Sequence, residues 1–132
     1  MRGISIVVAG FAAMALSQSA LAEQSDYSGR WLLSGLITGG RVTMSFAQVC
    51  DLTQTGTQVA GPCHGPNGAC SAVGVVNSGQ VDLTCRAAVP NNPSLDGVLT
   101  FHGNLAPDGV LRGTCSHSRA PGTTGQASLM RL

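Results

Sequence analysis

The segment AQVCDLTQTGTQVAGPC, residues 47–63, alternates apolar and polar positions on both sides of a glycine-centred turn. Cys50 and Leu52 precede the turn at 55–57, and Val59 and Cys63 follow it. Alternation of this kind predicts strands with one buried face, and a short glycine loop between two such strands predicts a hairpin. We therefore expect residues 47–63 to form a β-hairpin whose inward face carries these four side chains.

Two further hairpins are predicted towards the C-terminus. Residues 72–76 and 80–86 flank a three-residue turn at 77–79. This register places Val73 and Val75 inside, opposite Leu83 and Val81.

The next hairpin joins 98–105 to 110–115 through the turn at 106–109, with Leu99, Phe101 and Leu111 as candidate core residues. An opening strand at 29–36 and a closing strand at 126–132 bring the count to about eight.

The predicted fold class is all-β, in the form of a small up-and-down antiparallel barrel of about eight strands. The 18 glycines and six prolines suit many short strands joined by tight turns. Sequential hairpins remove their exposed edges when the sheet closes on itself. A small sandwich is the alternative.

Residues 1–22 have the pattern of a secretory signal peptide. A charged start is followed by an apolar run and then by a small-residue site at Ala20-Leu21-Ala22. We expect cleavage there, which leaves residues 23–132 as a single β-barrel domain in a periplasmic or secreted protein. No later stretch reaches the roughly 20 apolar residues of a spanning helix, so no membrane span is expected.

The charge of residues 23–132 is balanced, with six arginines, six acids and no lysine. The arginines are not clustered. A basic patch is the usual mark of proteins that bind nucleic acid or an anionic membrane, and none is present. A nucleic-acid partner is therefore not expected.

The two ends of the expected domain carry a family resemblance. Gly29-Arg30-Trp31 on the first strand and Arg131 on the last resemble the calycin superfamily of lipocalins and avidins. The resemblance implies that the Trp31 indole closes the base of the barrel and that Arg131 packs across it, as structural residues. Biotin binding is not implied, because Trp31 is the chain's single tryptophan and the avidin tryptophans have no counterpart.

The stretch 28–34 is also similar to the opening of the small periplasmic barrel inhibitors of serralysin-type metalloproteases. Those inhibitors insert an N-terminal arm into the protease cleft, and here the arm would be residues 23–28. Five cysteines stand where that family usually has a pair.

All five cysteines lie in the expected domain, and export predicts that they form disulfides. Cys50 with Cys63 is the preferred pair, because both lie on the inward face of one hairpin. Cys70 could bond to Cys85 across the next hairpin or to Cys63 across the intervening loop. Cys115 is then the candidate free thiol.

Neither a metal site nor a catalytic site is predicted. Cys63-His64 with Cys70, and Cys115 with His117 and His102, are the groupings with ligand chemistry, but their spacings match no zinc pattern. Cys115 and His117 lie two residues apart on one face, too far for a nucleophilic pair.

The acids show no paired arrangement either. Asp51 and Asp82 fall on solvent-facing strand positions, and Asp108 lies in a turn.

These observations predict an exported, non-enzymatic β-barrel that needs no cofactor. Its expected partner is a small, partly apolar molecule, or an envelope or secreted protein. The alternatives are a periplasmic protease inhibitor acting through its N-terminal arm and an envelope protein with no ligand pocket.

Overall fold

Eight antiparallel strands close into a barrel in which each strand pairs with its neighbours in sequence and β8 pairs with β1. The computed structural model describes residues 26–39, 42–66, 68–87 and 97–132. The strands are β1 (Gly29–Gly39), β2 (Val42–Thr55), β3 (Gln58–Gly65), β4 (Gly68–Asn77), β5 (Gln80–Ala87), β6 (Gly97–Leu105), β7 (Leu111–His117) and β8 (Thr124–Arg131). The prediction of an all-β barrel of about eight strands is therefore confirmed. In the ranges that the structure describes, no helix is long and apolar enough to cross a membrane. The predicted signal peptide, residues 1–22, lies outside these ranges.

Alternate positions on every strand fill the barrel interior. In β5, for example, Val81, Leu83 and Cys85 are buried while the residues between them are half-buried. The same alternation is seen in the predicted hairpins, and Leu99, Phe101 and Leu111 are core residues as expected. The largest fully buried side chains are Trp31, Phe101, Leu33, Ile37, Leu83, Leu111 and Leu129.

Glycines inside the barrel make room for the rings of Phe46 and Phe101. Gly35 lies opposite Phe46 in the β1–β2 register. A Cβ at Gly35 would lie 2.7 Å from Cζ of Phe46, and a Cβ at Gly103 would overlap the Phe101 ring. The core has few bulky residues, and it reaches close packing because the two rings fill the space beside glycines.

The predicted inward face of β4 is wrong. Val73 and Val75 are exposed, while Ala72 and Val76 are buried. Val76, not Val75, lies opposite Val81.

The cause is the length of the turn. Asn77 pairs with Gln80, which leaves a two-residue loop in place of the predicted three. Its central residues Ser78 and Gly79 both have positive φ (50° and 83°), as a type I′ turn requires. A shift of one residue exchanges the two faces of the strand.

Candidate functional site

One end of the barrel is closed by Trp31 and Arg131, which are directly paired where β1 meets β8. Trp31 is buried, and the guanidinium carbon of Arg131 lies 4.3 Å from the centre of its ring. The Trp31 indole N–H donates a hydrogen bond of 2.9 Å to the Tyr27 carbonyl oxygen, and the Tyr27 ring packs on the indole with centroids 5.8 Å apart. The structure thus brings together the two residues that the calycin resemblance singled out, in a cation–π contact.

Besides the indole bond to Tyr27, four hydrogen bonds hold residues 26–28 at this Trp31 end. Nη1 and Nη2 of Arg131 donate to the carbonyl oxygens of Ser28 (2.8 Å) and Asp26 (2.6 Å). The Tyr27 amide donates to Oε1 of Gln54, and the Gln54 amide donates to Oγ of Ser28, each at 2.8 Å. The second half of the predicted arm is therefore part of the barrel.

Four of the five cysteines form disulfides inside the barrel. Cys50 is bonded to Cys63, which confirms the preferred pair. Of the two partners left open for Cys70, the structure has Cys85 and not Cys63. Cys70 reaches Cys85 diagonally, because Ala72 is the residue directly opposite Cys85.

Cys115 is buried and unbonded on β7. Burial raises the pKa of its thiol.

The metal-ligand groupings considered from the sequence are arranged differently in the structure. The sulfur atoms of Cys63, Cys70 and Cys85 lie within 4.8 Å of one another, but each belongs to a disulfide and none is a free thiolate. The adjacent His64 side chain is exposed.

Cys115 faces the interior, whereas His102 lies on the outer face and its Nδ1 is 2.6 Å from Oδ1 of Asp82. A Cys115–His102 nucleophilic pair is therefore not formed.

The acids considered from the sequence belong to exposed ion pairs. Oδ1 of Asp51 accepts a hydrogen bond of 3.0 Å from Arg30. Asp108 accepts bonds from both terminal nitrogens of Arg112 and from the Val110 amide, and these bonds lower its pKa to about 2. Such pairs lie on the outer surface and fix turns and neighbouring strands.

The opposite end of the barrel, where β1, β3, β5 and β7 finish, is called the distal end below. Met44, Phe46 and Cys70 are half-buried there and pack against the core. Inward-facing Gln48 is 9% exposed. Among the residues that the structure describes, its amide and the Tyr27 hydroxyl at the Trp31 end carry the buried side-chain polar atoms that lack a hydrogen-bond partner. In Gln48 this atom is Oε1. The amide group adjoins Gly65, the last residue of β3, where a Cβ would lie 2.9 Å from Nε2.

His117 ends β7 at the same end of the barrel. Its Nδ1 accepts a hydrogen bond of 3.1 Å from the Arg119 amide. Burial, and secondarily the charge of Arg119, lower the pKa of the imidazole, so the ring is neutral at pH 7. With Nδ1 accepting, the proton of the neutral ring is on Nε2.

A shallow groove lies beside this end on the outside of β6 and β7. The turn after β7 folds over it, held by hydrogen bonds from the Ala120 amide to the His117 carbonyl and from the Thr123 amide to the Ala120 carbonyl. The groove is lined by Val98, Thr100, Ser116, His117, Ser118, Ala120, Pro121, Gly122 and Thr123. It presents small hydroxyl-bearing side chains without a charged group.

Gln48 was not identified from the sequence as a site residue. A signal was present, since Gln48 stands two residues from both Phe46 and Cys50 and so has the parity of an inward position.

Comparisons of this chain with protein-family models, with curated proteins and with solved structures found no match. The class that the structure defines is an eight-stranded up-and-down β-barrel with two internal disulfides, an architecture compatible with the calycins.

Proposed function

We propose that this protein is a non-enzymatic binding protein whose distal end takes a small, uncharged, largely apolar molecule that carries a hydrogen-bond donor. One observation carries the proposal: Oε1 of Gln48 is buried without a partner among the described residues. A buried acceptor left without a donor costs about 1–3 kcal/mol. A ligand N–H or O–H at this position would remove that cost.

The surroundings of Gln48 support an apolar, neutral ligand. Met44, Phe46 and Cys70 are half-buried and present apolar side chains at the same end. Met44 has a flexible thioether chain that adapts to irregular shapes. Ligand sites of this kind combine an apolar wall with a few polar groups that fix orientation.

The absence of an activated nucleophile within the described ranges supports binding over catalysis. Cys115 and His102 lie on opposite faces of the sheet, and Asp82 is engaged with His102 on the outer surface. The two disulfides support an oxidising, exported location, since such bonds persist mainly outside the cytoplasm.

Native mass spectrometry of protein purified from its own host tests the proposal. We expect the parent protein to carry a stoichiometric small molecule that is lost or depleted in Gln48→Leu. The matched control is Gln126→Leu, at an exposed glutamine of β8, which should retain the molecule. Purified apoprotein should also bind N-phenyl-1-naphthylamine, a neutral apolar probe with one N–H. Its Kd should rise about 3- to 10-fold in Gln48→Leu, the range expected for one uncharged hydrogen bond. Repeated absence of a bound molecule together with no probe binding would favour an envelope protein without a pocket.

The anchored segment 26–28 favours a second candidate, a protease inhibitor that uses its N-terminal arm. Hydrogen bonds that Arg131 donates to residues 26 and 28, and one that the Tyr27 amide donates to Gln54, fix segment 26–28 on the barrel. Rigid anchoring lowers the entropy cost of inserting a short arm into a cleft. Deleting residues 23–25 should then abolish inhibition of a secreted metalloprotease and leave the barrel folded. Failure of the intact protein to inhibit such proteases would exclude this candidate.

A further inference from the structure

Four cysteines form a row across consecutive strands on the inside of the barrel. This cysteine row consists of Cys50 on β2, Cys63 on β3, Cys70 on β4 and Cys85 on β5. Disulfides join the first two and the last two. The inner members, Cys63 and Cys70, lie directly opposite each other in the β3–β4 register. Their sulfurs and that of Cys85 lie within 4.8 Å of one another.

Backbone spacing allows Cys63 to bond to Cys70 but not to Cys85. Directly opposed residues on antiparallel strands have Cα atoms about 4.5–5.5 Å apart, and a disulfide spans about 4.4–6.8 Å. Cys85 is on β5, two strands away from β3. With neighbouring strands about 4.8 Å apart, its Cα lies roughly 9 Å from that of Cys63, which exceeds the reach of a disulfide.

Access from solvent distinguishes the two bridges. Cys70 is half-buried, while Cys50 and Cys63 are fully buried and Cys85 is 2% exposed. An external thiolate must approach a disulfide sulfur directly to attack it. Cys70 is the most exposed residue of the row, and this makes it the expected entry point for an external thiolate.

We propose that the cysteine row is a thiol–disulfide exchange site that reacts with a small monothiol. A thiolate attacks the sulfur of Cys70, forms a mixed disulfide there and expels Cys85 as a thiolate. A second thiolate attacks the sulfur of the bound monothiol, releases the symmetric disulfide and leaves Cys70 as a thiolate. Two electrons pass from the two monothiols to the Cys70–Cys85 bridge. The Cys85 thiolate takes a proton from water, and the Cys70 thiolate reacts in the next step.

The Cys70 thiolate then attacks Cys63. A Cys63–Cys70 bond forms, the Cys50–Cys63 bond breaks, and Cys50 leaves as a thiolate that is protonated by water. This step exchanges one disulfide for another without net oxidation. The link between β2 and β3 is replaced by one between β3 and β4, at the distal end of the barrel.

The variant Cys85→Ser tests the exchange without added thiol, because it leaves Cys70 free from the start. It is made in a Cys115→Ser background, then acid-quenched, alkylated with N-ethylmaleimide and mapped by peptide mass spectrometry. We expect Cys63–Cys70 peptides in amounts comparable with Cys50–Cys63 peptides. The matched control, Cys70→Ser in the same background, frees Cys85 instead and should contain Cys50–Cys63 alone.

The mapping also reports whether the barrel is folded. A Cys50–Cys70 bridge would join strands two positions apart, so it forms only in unfolded chains. If Cys85→Ser contains the Cys50–Cys70 bridge, it is unfolded and a second protein is used. This is the Cys115→Ser variant, which keeps both bridges; it is treated briefly with reduced glutathione and then quenched, alkylated and mapped in the same way. Singly bridged species that include Cys63–Cys70 support the proposal, and Cys50–Cys63 as the sole single bridge overturns it.

Discussion

The guanidinium of Arg131 covers the Trp31 indole, with its central carbon 4.3 Å from the ring centre, and also donates to the backbone oxygens of Asp26 and Ser28. One side chain from the last strand therefore holds both the first strand and the segment that precedes it. Because Trp31 and Arg131 are paired in the register, this contact forms only when β8 closes on β1.

Replacing Arg131 with Gln should lower the free energy of unfolding by about 1–3 kcal/mol, since a cation–π contact and charge-assisted hydrogen bonds are lost. Urea unfolding followed by fluorescence measures this directly, because Trp31 is the single tryptophan. The matched control is Arg30→Gln, which removes an exposed pair with Asp51 and should cost less than about 1 kcal/mol. Equal effects of the two changes would show that Arg131 does not stabilise the closure.

Replacing Gly35 with Ala should destabilise the barrel by about 1–3 kcal/mol, as overpacked cores typically do. The added Cβ would lie 2.7 Å from the Gln126 carbonyl oxygen and from the Phe46 ring. Thermal unfolding should show a lower Tm, and Phe46→Leu in the same chain should recover part of the loss. The neighbouring outward change Ser34→Ala serves as the control. A Tm equal to that of the parent would contradict the packing account.

The sequence was sufficient to predict the barrel because alternation, hairpin loops and strand count all favour the same closure. It was not sufficient for the face of β4. That strand has valines on both faces, at Val73, Val75 and Val76, so hydrophobicity did not distinguish inside from outside. The deciding feature was whether Ser78-Gly79 forms a two-residue loop, which depends on backbone torsion.

The site was less predictable than the fold. Trp31 and Arg131 were identified through a resemblance, and the contact between them is present. The Cys70–Cys85 bridge remained one of two options because the predicted β4 register was shifted by one residue. Gln48 was missed because the unmet hydrogen bond of its Oε1 is a property of the packed barrel and not of local sequence.

Thiol titration should find no reactive cysteine in the folded protein and one per chain after unfolding without reduction. Cys115 is 2% exposed, and burial raises its thiol pKa, so little thiolate is present or accessible near pH 8. Ellman's reagent with and without guanidinium chloride measures this. Cys115→Ser should give no thiol in either state. Rapid reaction of the native parent protein would contradict the buried position.

His117 should titrate below the ordinary histidine value of 6.5, because burial and the charge of Arg119 lower its pKa. Between pH 6.5, the pKa of His117 in the unfolded chain, and its lower pKa in the folded chain, the unfolded chain binds the proton more readily. This histidine therefore lowers stability as pH falls from 6.5 to its folded pKa, and its contribution is constant below that. Ring-proton NMR measures the pKa of His117. Arg119→Gln should raise this pKa only part of the way to 6.5, because burial, the larger cause of the shift, remains. A pKa for His117 at or above 6.5 would contradict the buried geometry.

Asp108 should titrate at about 2, since hydrogen bonds from Arg112 and from the Val110 amide hold its pKa below the usual 3.8. A lowered folded-state pKa contributes stability that is present above 3.8 and is lost as pH falls towards 2. Carboxyl-carbon NMR should therefore show a late titration in the parent and a shift back towards 3.8 in Arg112→Gln. In Arg30→Gln, which changes a different exposed ion pair, the Asp108 titration should be unaltered. If Arg112→Gln leaves the midpoint at about 2, then the Val110 amide, and not the guanidinium, is the main stabiliser of the Asp108 carboxylate.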